Sequence, residues 1–235
     1  MSTAPSRTEQ NVKPARRLLS FKRVLGVIAL ATSMLVVMDL FGPLTTRMRE
    51  FDPNQVARLD TAMWRSYYAR ERLKLFNQLS ELLRSQYRLP FVRSNFVAYQ
   101  AAKAAFVFKD GHNREEYEKA LPNLISFYTS IRAVSDIGFD VEKAARLELE
   151  WWIIHRERKQ HAPGDLERAL ANLAGELYQM PSEAFVEHAR LRAEAMEIRD
   201  TKAEQGGVTE EDWARIDELL HASWQSLHNA VNSNA

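Results

Sequence analysis

The stretch FDVEKAARLELEWWIIHRERKQ, Phe139 to Gln160, decides the fold class. At about 100° per residue, Val141, Ala144, Ala145, Trp151 and Trp152 gather on one side of a helix capped by Asp140, with Lys143, Arg146, Glu150 and Glu157 opposite. A stripe of that width requires cover from other helices. Glu148 and His155, seven residues apart, fall in the middle of the apolar side. An ionised carboxylate there costs several kcal/mol unless it is paired or neutralised, so partners are expected from elsewhere in the chain.

The same projection supplies candidates. Asp60, Tyr67 and Arg70 lie on the inward stripe of a helix predicted from Asp52-Pro53 to about Tyr87, and His188, Arg192 and Arg199 lie on or near the inward side of the helix carrying Phe185 and Met196. The expected buried polar cluster is Glu148, His155, His188, Arg192, Asp60, Tyr67 and Arg70. Arginine beside a carboxylate makes a structural ion-pair network, whereas glutamate beside histidine makes a metal-ligand set or a proton-transfer pair. Glu148, His155 and His188 are the residues a metal would use. Fixing the register of long helices is the commoner use of such groups, and it is the preferred reading.

Outward from this helix the pattern stays helical. Pro90 opens a segment in which Phe91, Phe96, Val97, Phe106, Val107 and Phe108 surround an alanine-rich middle, which predicts a central helix ending at Lys109–Asn113. A further helix runs from Arg114 to about Ser135, with Pro122 a kink or break. Asp165 is read as the cap of a helix with Leu166, Ala169, Leu170, Leu173 and Leu177 on one stripe, and Pro181 starts another that Gly206-Gly207 ends. Thr209 and Asp212 form a capping-box variant before Trp213, Ile216, Leu220, Trp224, Leu227 and Val231, with Val208 placed to staple onto Trp213. Eight Gly and eight Pro sit near these helix ends, and no segment alternates like a strand. The expectation is an all-α bundle of about six or seven helices in residues 44–235.

Before the bundle, Val24 to Met38 (VLGVIALATSMLVVM) carries no charge, and Phe21 to Phe41 makes a 21-residue span, about the length that crosses a bilayer core. Residues 1–20 are polar and are read as a disordered basic tail, with 21–43 as an uncleaved transmembrane signal anchor, because no small-x-small cleavage pattern follows the span. Positive charge before the span predicts a cytoplasmic N-terminus and a periplasmic or extracellular domain.

The net charge of +1 hides an asymmetry. Six basic residues and Glu9 alone occupy positions 1–23, leaving 26 basic and 30 acidic residues for the rest, which offers no footprint for nucleic acid. With no cysteine, disulfides, thiolate metal sites and a cysteine nucleophile are excluded. No glycine-rich phosphate loop, nucleophile elbow or zincin motif occurs, and no motif names a cofactor. Of the Glu-x-x-His pairs that a four-helix di-metal site needs, only Glu218 to His221 has the spacing. The sequence therefore points to a membrane-tethered helical scaffold or protein-interaction domain. The alternative is a metal- or small-ligand-binding helical-bundle enzyme built on the Glu/His/Arg cluster.

Overall fold

The computed structural model describes residues 15–233, with side chains from Phe21 onward. The tail expected at 1–20 therefore lies outside the described residues up to position 14. From Ala15 the chain is already helical, six residues before the expected start of the span, and the first helix, α1, is Ala15–Phe41. No charge and no proline interrupts Val24–Met38, whose only polar side chains are the small hydroxyls of Thr32 and Ser33, so the helix continues through it. Its large apolar side chains, Leu30 and Leu35 among them, are exposed. Within it, Phe21–Phe41 is long and apolar enough to cross a membrane.

Residues 43–235 make a second compact unit, and it is all helical. Its described residues hold nine α-helices: α2 (Pro53–Tyr68), α3 (Arg72–Tyr87), α4 (Phe91–Asp110), α5 (Arg114–Glu118), α6 (Leu121–Arg132), α7 (Val141–Arg156), α8 (Asp165–Tyr178), α9 (Val186–Glu204) and α10 (Glu210–Asn232). A 3-10 turn, Ser182–Phe185, leads into α9. The expected count of six or seven rises because two predicted helices are each divided. The helix expected from Pro53 to Tyr87 breaks at Arg70, which adopts φ 61°, and Pro122 stands in the first turn of α6 rather than bending a longer helix.

Several helix starts follow from local chemistry. The Asp52 carboxylate accepts from the Asn54 and Gln55 amides, and Asp140 accepts from the Lys143 amide. Thr209 and Asp212 close a reciprocal capping box at the head of α10, with Val208 and Trp213 in one apolar cluster. At α8 the expected cap is displaced by one residue. Gly164, at φ 88°, precedes the helix, and Asp165 is its first residue, accepting from the Ala162 amide.

The helices follow one another around a circuit. α2 packs on α3, α3 on α4, α4 on α6, α6 on α7, α7 on α8, α8 on α9, α9 on α10, and α10 returns to α2. The short α5 bridges α4 and α7. Val56, Val97, Leu124, Tyr128, Ile131, Ile153, Phe185 and Leu220 are buried in this unit. Of the apolar face of α7 projected from the sequence, Ala144 and Ala145 are buried and Val141, Trp151 and Trp152 half-buried, and the buried side extends to Leu149, Ile153 and Ile154.

α4 differs from its predicted central place. Its buried side is made largely by small or slender residues, Ser94, Val97, Ala98 and Ala104, with Arg93 and Phe108 at its two ends, while Phe91, Phe96, Tyr99 and Phe106 are exposed. Alanine lets α4 approach its neighbours closely on one side only. Its aromatic residues other than Phe108 are left on the other.

Candidate functional site

Of the seven polar residues expected from the sequence, five are distributed over three buried or half-buried settings, and Tyr67 and Arg70 lie at the surface. The deepest is between α2, α9 and α10. Asp60 is 1% exposed, and its carboxylate accepts from the Arg192 guanidinium and, at 2.9 Å, from Trp224 Nε1. The guanidinium also lies 5.5 Å from the centre of the Trp64 ring and 5.9 Å from that of Trp224. A buried carboxylate is tolerated here because a cation and a neutral donor both meet it.

His188 closes the same setting on α9. Its Nδ1 lies 3.0 Å from the Ser223 carbonyl oxygen and 2.8 Å from Ser223 Oγ, while that hydroxyl donates to the His188 carbonyl. Two acceptors facing Nδ1 place the ring proton there. Burial, reinforced by the Arg192 charge, pushes His188 down to about 4, against the Ser223 carbonyl and Asp60. It is a neutral core histidine.

Glu148 stands apart from this group. It accepts from Tyr128 Oη at 2.7 Å and from Trp152 Nε1 at 2.9 Å. Burial raises its carboxyl above the usual range, while the Tyr128 and Trp152 hydrogen bonds and the Arg192 charge draw it back. Tyr128, 2% exposed, is pushed up in turn by burial and by that carboxylate. Truncation in Glu148→Ala strips an acceptor from two donors, each costing about 1–3 kcal/mol when left unsatisfied. Urea unfolding should show Glu148→Ala less stable than Glu148→Gln, whose amide oxygen still accepts one bond. The reverse order would remove the hydrogen-bonding account.

His155 turns to α9 instead, with Nε2 3.0 Å from Asp200 Oδ2. Arg158 lies 3.3 Å from the same oxygen, and Arg199 donates to Asp200 Oδ1 at 2.8 Å. Burial would raise the Asp200 carboxyl, but His155, Arg199 and Arg158 outweigh it and hold it at about 2. The Arg199 guanidinium also covers the Tyr68 ring at 3.1 Å, joining α9 to α2.

Tyr67 and Arg70 do not point inward as projected. Tyr67 is 47% exposed and edges onto the Tyr68 ring, and Arg70 is exposed in the α2–α3 turn. The turn at Arg70 ends the regular 100° progression and takes Arg70 off the stripe, whereas Tyr67, in the last turn of α2, keeps its helical register and is exposed all the same.

Several partners are not evident in the sequence, Ser223 and Arg158 among them. Asp200 follows Arg192 and Met196 at four-residue steps, a spacing that places it on the same face and could have disclosed it. Trp224 falls on the apolar stripe of the last helix and Tyr128 within the helix predicted from Arg114 to about Ser135, and neither position announces the acceptor that a buried phenol or indole needs. Glu176, 7% exposed, had no signal beyond its place beside Leu173 and Leu177. It accepts from the Asp140 amide at 2.8 Å and meets Lys143 Nζ at 2.7 Å, tying the head of α7 to α8.

Among the described residues no group of three or more His, Asp or Glu is arranged to hold a metal ion. In Glu218 to His221, His221 Nδ1 lies 2.9 Å from the Asp217 carbonyl, while Glu218 pairs with Arg215. Two open surface grooves stand out, one lined by Asp140, Lys143, Arg146 and Glu150, the other by His112, Tyr117, Arg158 and Glu204. Neither is lined by Glu148, Asp60 or His188. No protein-family model, curated protein or solved structure matches the chain.

Proposed function

We propose that this is a single-pass membrane protein whose helical unit acts as a scaffold or protein-interaction domain, with an uncleaved N-terminal anchor and a cytoplasmic N-terminus. The observation that carries the reading is α1, a helix of bilayer-spanning length whose apolar side chains lie exposed. Positive charge concentrated before the span favours the orientation. The use of the buried ionisable groups also supports it. Asp60, Arg192, His188, Glu148, His155 and Asp200 face one another or neighbouring aromatic and hydroxyl groups, the arrangement of a network that fixes helix register.

Two measurements test it. A reporter enzyme that folds only outside the cytoplasm, fused after Ala235, is expected to be active, with the uncleaved chain contributing its full 27.1 kDa to the mass of the fusion. Activity of a cytoplasm-restricted reporter at that position overturns the orientation. Elemental analysis of the purified full chain addresses the scaffold role: stoichiometric iron, manganese or zinc that is lost on Glu148→Ala overturns it.

A further inference from the structure

The α3–α4 hairpin differs from the rest of its unit in both charge and surface. Residues 70–110 hold eight basic side chains and three acidic ones, whereas the remainder of 43–235 holds 18 basic and 26 acidic. The hairpin is a positive island on an acidic domain. On α4, Phe96, Tyr99, Lys103 and Phe106 lie within an arc of about 80°, and the three aromatic residues are 49%, 55% and 45% exposed. No carboxylate occurs on α4 before Asp110. At the Phe106 end the Arg72 guanidinium sits 5.8 Å from the ring centre, beside Leu73, which is 84% exposed.

From this we infer that the aromatic and basic face of α4 docks on the headgroup region of an anionic lipid bilayer. Tyrosine, phenylalanine and lysine interleaved on one helical face suit that boundary. The rings enter the acyl margin, the lysine stem follows them, and the ammonium remains among phosphates. Charge complementarity selects anionic lipid, since each basic residue at such a surface strengthens binding about fivefold. The inference rests on the membrane reading of α1, which would hold the domain at high effective concentration over the surface. A second copy of the chain is a poorer occupant, because a two-fold contact through this face would set Lys103 and Arg72 against their own equivalents.

The cysteine-free chain permits a direct test with single labels. Full-length protein carrying a polarity-sensitive fluorophore at Tyr99→Cys is reconstituted into phosphatidylcholine vesicles with or without phosphatidylglycerol. Companion labels are placed at Met34→Cys in α1 and at Ala222→Cys on α10. The label at 99 is expected to be quenched by nitroxide lipid and shielded from aqueous iodide in the anionic vesicles alone, with the label at 222 open to water throughout. Adding Arg72→Glu and Lys103→Glu should lower the docked fraction about fivefold per charge removed. A label at 99 that stays in water while that at 34 is quenched by lipid overturns the docking and leaves the anchor intact. An unquenched label at 34 overturns the anchor itself. Shielding at 99 that rises with protein density in vesicles of phosphatidylcholine alone assigns the face to a second copy and also overturns the inference.

Discussion

Asp60→Ala is expected to lower the unfolding free energy by about 3–5 kcal/mol, the cost of breaking a buried charge pair from one side. The loss goes beyond one bond. Arg192, its side chain 16% exposed, would keep its charge among Trp64 and Trp224 with no counter-ion, and the Trp224 indole would lose its acceptor. Because Asp60, Arg192 and Trp224 belong to α2, α9 and α10, the change weakens the place where the circuit of helices closes. Removing both charges together should be far milder. Asp60→Leu combined with Arg192→Met replaces the pair by apolar volume and is expected to remain within about 2 kcal/mol of the parent. Urea unfolding followed by the fluorescence of the five tryptophans measures all three chains. A single-mutant loss below about 1 kcal/mol would show that the pair does not secure the closure.

The second large effect is expected on acidification. His188 titrates near 6.5 in the unfolded chain but at about 4 in the fold, where burial keeps it neutral. Between those values the unfolded chain binds the additional proton and the native state does not, so stability falls as pH drops through that window. The full loss is on the order of 3 kcal/mol. Asp200 also loses its contribution on acidification, but only as pH falls below about 4 toward its folded value of about 2. Glu148 acts in the opposite sense, since a raised carboxyl gains stability when it is protonated. The informative quantity is therefore the difference between the unfolding profiles of the parent and His188→Asn. The variant should lack the decline between pH 6.5 and 4. Identical slopes would show that His188 is not the titrating group.

The helical class was legible because its signals are local. Asp52-Pro53, Asp140 and the Thr209–Asp212 box announce helix starts within a few residues of themselves. The break between α2 and α3 was not legible, because Tyr68-Ala69-Arg70-Glu71 contains neither glycine nor proline and the left-handed turn is made by an arginine. Gln179 and Arg88 likewise take φ 50° and 52° at helix ends where glycine would have been the cue. α4 misled for a different reason. Its apolar residues encircle it, and composition alone does not say that Ala98 and Ala104 face in while Phe91, Phe96 and Phe106 face out.

The polar residues divide in the same way. Asp60 and Arg192 could each be placed inward from periodicity, and the structure brings them into contact. Glu148 and His155 share a face, yet seven residues of helix separate them by about 10.5 Å along the axis. That is too far for one small site, so each meets a different neighbour, Tyr128 on α6 or Asp200 on α9. Which neighbour lies at which height depends on the packing of other helices, and single-helix projection carries no such information.

The closing contact of the circuit also sets a timetable. Arg192 follows Asp60 by 132 residues and Trp224 follows it by 164, so the first helix of the unit to leave the ribosome waits for partners made near the end. At 5–20 residues per second the interval before Arg192 is synthesised is roughly 7 to 26 s. Through that time α2 has its apolar stripe and a carboxylate without their native cover. The unit is therefore committed to folding late, after its last helix is available, and a nascent or truncated chain lacking α10 would present an open seam to chaperones and proteases.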